Sequence, residues 1–218
     1  MLASVAFWPL YLSKGWSTID RYTHAHAFFG TLWLFVLIAQ PLLILRGHRA
    51  AHRVVGRFSL SIAFAFVGSS FLLTHYRVSR MSEATFAKDG IYIYLPLAVA
   101  FLFAVACALG FRWRRSTAVH SRFMASTALL LVDPVLARIM FFYLPPLPSE
   151  NLYQGITFTL IAVAMVLLVR SLPSSAKGRD WYRNYCLGSM SVLALFFVVP
   201  YAGAWLDFVR WFRNTPLT

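Results

Sequence analysis

Six apolar runs, each near twenty residues long, leave this chain few ways to fold. Residues 24–46, 54–75, 91–111, 119–143, 155–172 and 185–209 each approach the length that carries a helix across the hydrocarbon core of a bilayer. Inside that core no water can satisfy a backbone N–H or C=O, so a crossing segment must pair its own polar groups, as a helix does. The expected class is all-α: a polytopic membrane helix bundle with six transmembrane helices. Composition agrees, with 60% of the 218 residues hydrophobic and 12% charged, about half the charged fraction of an ordinary soluble domain.

The runs use most of the chain, so one six-helix transmembrane domain is expected over 24–212, with a short C-terminal tail at 213–218. Residues 1–23 are expected to form an interfacial N-terminal segment. The opening MLASVAFWPLYL is too short and too Pro-interrupted to span, and it lacks the basic start and small-residue cleavage site of a signal peptide.

The net charge of +13 could suggest nucleic acid, but its placement points to the membrane and to no nucleic-acid partner. The loops RGHRAAHRVVGR, RWRRSTAVHSR and RSLPSSAKGRDWYR follow the first, third and fifth runs. With their flanks they hold twelve Lys/Arg and one acid, Asp180. The opposite side holds seven Lys/Arg and five acids, and Arg138 lies inside a run. Short loops rich in Lys and Arg stay cytoplasmic, so the basic loops are expected inside and the N-terminus outside. Cys107 and Cys186 form no CxxC and no disulfide framework, and carry no redox information.

The six histidines gather at the ends of runs. His24, His26 and His75 belong to the outer face; His48, His52 and His120 belong to the inner face. A run of about 22 residues rises roughly 33 Å, so the six cannot share one site. They form two groups, each a candidate set of metal or cofactor ligands, because polar and ionisable residues at membrane depth are usually functional. The alternative is that they are hydrogen-bonded, inert residues of the headgroup region. His24 and His26 point about 200° apart if both are helical, so the HAH pair chelates only from extended backbone. His26 shares a helical stripe with Trp33 and Gln40. HRAAH, with His48 and His52 at i and i+4, can present two imidazoles to one metal, but no acid stands beside it. In the fourth run His120, Met124, Thr127, Leu131 and Arg138 form one stripe. Asp133 lies near the bilayer middle, off that stripe, either as a proton-relay carboxyl or as a cap for the backbone break at Pro134.

The pattern His26, Gln40, Arg46, His52-Arg53-x-x-Gly56-Arg57, then His120, Met124 and Arg138 resembles a family of bacterial multi-pass membrane proteins, domain of unknown function 2306. The likeness covers about residues 24–145. Two positions depart from it: Phe123 stands where the family has Trp, and Ser126 where it has Arg. The resemblance implies a multi-pass fold in a bacterial inner membrane and no particular activity. The layout is also similar, in architecture alone, to two-haem membrane cytochromes of the b-five-six-one type.

No GxGxxG, Walker or CxxCH motif is present, and no intramembrane lysine is available for a retinal Schiff base. Three readings follow. The first is b-type haem electron transfer between a quinol and a partner. Its candidate ligands are His26 and His75 at the outer face and His52 and His120 at the inner face, with Arg53, Arg57 and Arg122 for haem propionates. The second is a membrane protein holding a transition metal in one histidine group. The third is an accessory subunit of a larger membrane complex without cofactor. His52 and His120 open runs two and four at one face, beside these arginines, and are expected to converge on an anionic ligand. Whether the protein is an enzyme is open at this level.

Overall fold

The structure is a computed structural model that describes residues 2–146 and 149–218. Helix α1 covers Leu2–Phe7 and runs on as a π-helical turn through Leu12. It is followed by α2 (Arg21–Leu45), α3 (Arg49–Ser79), α4 (Glu83–Asp89) and α5 (Tyr94–Arg112). Then come α6 (Thr117–Tyr143), α7 (Glu150–Arg170), α8 (Arg179–Ala194) and α9 (Gly203–Asn214). The fold is all-α, with no strand among the described residues. Six helical stretches are long and apolar enough to cross a bilayer, which makes this a multi-pass membrane protein.

Two boundaries differ from the sequence reading for clear reasons. Helix α3 is 31 residues long, so it rises about 46 Å and outruns the 54–75 apolar run at both ends. The sixth run, 185–209, is divided. α8 stops at Ala194, two 3-10 turns follow around Pro200, and α9 begins at Gly203. Pro200 has no N–H to give and cannot continue a helix interior. Residues 203–214 instead form an amphipathic helix that buries Val209 and Phe212 and leaves Trp211 exposed.

The described residues pack as two compact units. One contains residues 2–20 with Ala108–Ala194; the other contains Arg21–Cys107 with Leu195–Thr218. In the second unit α2 and α3 form an antiparallel pair. Gly47, at φ +78°, takes the left-handed conformation that ends α2, and His48 N–H donates back to Leu43 C=O at 2.8 Å. The pair meets α5 through an edge-to-face aromatic chain, Trp33 on Phe103 at 5.1 Å and Phe103 on Phe66 at 5.2 Å. Gly30 admits Phe66, whose ring would lie only 3.0 Å from a Cβ there. At the other end of α3, Val78, Phe86, Ile93, Val209 and Phe212 close a cluster shared by α3, α4, the 3-10 turn Gly90–Ile93 and α9. Arg213, expected in the tail, lies in α9 and donates to Glu83 at 2.8 Å and to Met81 C=O at 2.6 Å.

In the first unit α6 packs on α7, α8 and α1. Phe123 meets the rings of Tyr182 and Tyr185 of α8, and Ser126 Oγ lies 3.0 Å from the Tyr182 hydroxyl. Phe123 and Ser126 are therefore spent on packing α6 against α8. Tyr143 donates to Val5 C=O at 3.0 Å, and Arg138 lies over Phe7, which hold the opening segment against α6.

Candidate functional site

The stripe expected on α2 faces its neighbours as a series of contacts: His26 and Gln40 reach α3, and Trp33 reaches α5. His26 stacks on Phe66, 4.9 Å between centroids. Its Nδ1 lies 3.2 Å from Ser70 Oγ and 3.5 Å from Ser69 Oγ. Both serine hydroxyls already donate to Phe66 C=O at 2.8 Å, so they accept from the ring. With those hydroxyl protons on Phe66 C=O, the ring donates from Nδ1.

At the basic end of the same pair the assignment is reversed. Oriented to satisfy both of its groups, the Gln40 amide donates to His52 Nδ1 and, at 3.3 Å, to His52 C=O. It accepts from Gly56 N–H at 2.9 Å. One side chain thus spans a full i, i+4 step of the partner helix. Gly56 is where the amide comes close, 3.3 Å from the position a Cβ would take. The accepted bond makes Nδ1 the lone-pair nitrogen of His52 and Nε2 its N–H. Gln40, His52 and Gly56 are one helix-to-helix clasp.

His120 has the opposite tautomer. Its Nδ1 donates to Gly110 C=O at 2.8 Å, and a carbonyl can only accept, so Nε2 carries the lone pair. Met124, one turn further along the stripe, lies against Gly110, where a Cβ would overlap its methyl group. His75 is almost fully buried. It sits edge-on to Phe212 at 5.0 Å, with Nδ1 2.7 Å from Thr218 Oγ1 and Nε2 enclosed without a hydrogen-bond partner among the described residues.

His26 and His75, the expected outer pair, are thus held by different partners on α3 and α9. His52 and His120, the expected inner pair, belong to different compact units. His24 and His26 both lie in helical α2, so HAH presents its two rings about 200° apart. His48 precedes α3 as an exposed N-cap residue, while His52 lies inside the helix. Among the described residues no group of three or more His, Cys, Asp or Glu side chains could hold a metal ion.

The three arginines also part company. Arg53 and Arg57 are exposed on α3. Arg122 is engaged: it donates to Ser171 Oγ at 3.1 Å and to Ser121 Oγ at 3.1 Å, tying the start of α6 to the end of α7.

Asp133, near the middle of α6, is 3% exposed, and its Oδ1 accepts from Thr157 of α7 at 2.9 Å. This is an interhelical clasp and not a cap at Pro134. The local bond at that proline comes from Arg138, which donates to Pro134 C=O at 2.7 Å. Sequence spacing could not have found Thr157, since nothing in an apolar run marks which hydroxyl will face a carboxyl on another helix. No protein-family model, no curated protein and no solved structure matches this chain.

Proposed function

We propose that this multi-pass membrane protein transfers electrons through b-type haem, with His26 at one end of its helices and His120 at the basic end as ligating imidazoles. The observation that carries the reading is the tautomer of these two residues. A ligating imidazole usually donates one N–H to a carbonyl or hydroxyl and offers the other nitrogen to the metal. His120 meets the first half of this pattern through Nδ1 on Gly110 C=O, and His26 through Nδ1 beside Ser69 and Ser70. When bound, haem would supply one-electron chemistry; the chain would supply the ligand orientation and an apolar surround. His52 fits less well, because its Nδ1 is the accepting nitrogen and Nε2 carries the proton. A quinol is the small-molecule partner in this reading, and other membrane subunits are candidate redox partners. We place the protein in a bacterial inner membrane, basic loops inside and N-terminus outside, and read the shared pattern as kinship with the uncharacterised family named above.

Protein purified from cells supplied with iron and haem precursor should be red, with a Soret band that shifts on dithionite. His26→Ala and His120→Ala should each lower the haem content. Colourless protein from such cells ends this reading. Cysteines placed at Ser116 or Ser175 should be shielded from impermeant thiol reagents in intact cells while one at Ser82 reacts; the reverse pattern overturns the orientation.

A second reading, an accessory subunit without cofactor, is favoured by His52 and His75. Both use their rings for packing: one in the Gln40 clasp, the other under α9. Membrane extraction that leaves the chain colourless but attached to a stable larger complex would support it.

A further inference from the structure

We infer that the groove between α7 and α8 is a binding site for one anionic phospholipid, its phosphate held by Arg170 and Arg183 and one acyl chain lying along the groove. The two helices run antiparallel, so the C-terminal turn of α7 and the first turns of α8 lie at the same end. α7 contributes Val166 and Val169 below Arg170, at i−4 and i−1; α8 contributes Leu187 and Met190 beyond Arg183, at i+4 and i+7. The i−4 and the i+4, i+7 spacings put Val166 on the face of Arg170 and Leu187 and Met190 on the face of Arg183, and Val169 lines the groove from the flank of α7. The result is an open cavity of about 190 Å³, nearly all apolar, whose lining includes the side chains of Arg170 and Arg183.

Charge and surroundings select the occupant. Val166 and Leu187 are 41% and 56% exposed, and both lie within candidate membrane spans, so lipid is what meets them. The head of the groove is cationic. Arg122 is fixed nearby on Ser171, the residue after Arg170, and Arg170 is exposed. Arg183 pairs with Asp180 at 3.2 Å, but both side chains are more than half exposed, so the pair is weak and Arg183 can bond phosphate as well. Two forked guanidinium groups suit phosphate oxygens. Basic pockets between membrane helices bind anionic headgroups in this way. A zwitterionic lipid carries its own cation into the cluster and gains less. A soluble anion gains nothing from the apolar groove.

The test is lipid retention by the full chain, purified in mild detergent from nanodiscs of equal phosphatidylcholine and phosphatidylglycerol, read by native mass spectrometry. The wild type should keep about one phosphatidylglycerol per chain. The double variant Arg170→Gln/Arg183→Gln should lose it at least tenfold, and Arg114→Gln/Arg115→Gln, exposed arginines of another loop, should keep it. Leu187→Trp, which fills the groove and leaves both charges, should also lose it. Unchanged retention in the double variant, equal retention of phosphatidylcholine, or displacement by millimolar inorganic phosphate would each overturn the proposal. None of these outcomes depends on haem.

Discussion

The pair α2–α3 is fastened near its ends; the pair α6–α7 is fastened by Arg122 at its basic end and again near its middle. In the first, Gln40 grips the His52–Gly56 step at the basic end, His26 meets Ser69 and Ser70 towards the other, and aromatic rings fill the stretch between. In the second, a single carboxyl, Asp133, meets a single hydroxyl, Thr157, deep in the apolar zone. The difference teaches a rule about depth. Near the headgroups a polar side chain that loses its partner can turn to water, so its bond contributes little net stability. Near the bilayer middle it has no such substitute, and the cost of an unmade bond is the cost of a bare polar group. Depth, more than residue type, should rank these interactions.

That ranking can be broken by four measurements, all by reversible unfolding in bicelles. Thr157→Val strips the buried carboxyl of its donor and should cost about 1.5 kcal/mol, the upper range for such bonds in membranes. Adding Asp133→Leu should restore most of the loss, because removing both partners leaves nothing unpaired. If Thr157→Val is silent, the depth rule fails.

Gln40→Ala should cost about 1 kcal/mol, since it leaves the α2–α3 pair without its clasp at the basic end. Gly56→Ala sharpens the point. It should destabilise the wild type, whose amide lies 3.3 Å from the new Cβ, yet stabilise the Gln40→Ala variant by up to about 1 kcal/mol, the helix preference of Ala over Gly. Equal effects in both backgrounds would mean that Gln40 does not reach α3.

Ser70→Ala should cost about 0.5 kcal/mol, with Ser69 taking over as acceptor at its longer distance. Nitrogen NMR of labelled His26 should report an Nδ1–H ring in the wild type, and in the double variant Ser69→Ala/Ser70→Ala a mixture of tautomers. An Nε2–H ring in the wild type would remove the argument that His26 is poised as a ligand.

The smallest effect belongs to the pair whose carboxylate faces water. Glu83 is 86% exposed beside Arg213, and Glu83→Gln should cost no more than about 0.3 kcal/mol, less in high salt. Arg213 keeps its bond to Met81 C=O. A loss larger than that of Thr157→Val would invert the comparison.

Much of this was legible in the sequence because it depends on near neighbours. The apolar runs, the basic loops and the α2 stripe of His26, Trp33 and Gln40 follow from length, composition and helical period, and that stripe does face α3 and α5. What the stripe touches was not legible. Phe66, Phe103 and Gly56 carry no mark that pairs them with it. The division of the last run at Pro200 had a visible signal, a proline inside an apolar stretch, but its meaning depended on whether α9 had an apolar surface to lie on. Val78, Phe86 and Ile93 supply that surface from distant parts of the chain.

The sequence by itself determined the class of solvent this chain folds in, the number of helices long enough to cross it, and the sign of charge at each helix end. These are sums over consecutive residues, set by apolar length and by where Lys and Arg are allowed to lie. Only the tertiary structure decided what each histidine does. Its two ring nitrogens take their roles from whichever group stands opposite: a carbonyl for His120, an amide for His52, a pair of serines for His26, and the underside of α9 for His75. A tautomer is fixed by a hydrogen-bond partner, and those partners come from 10 to more than a hundred residues away in the chain.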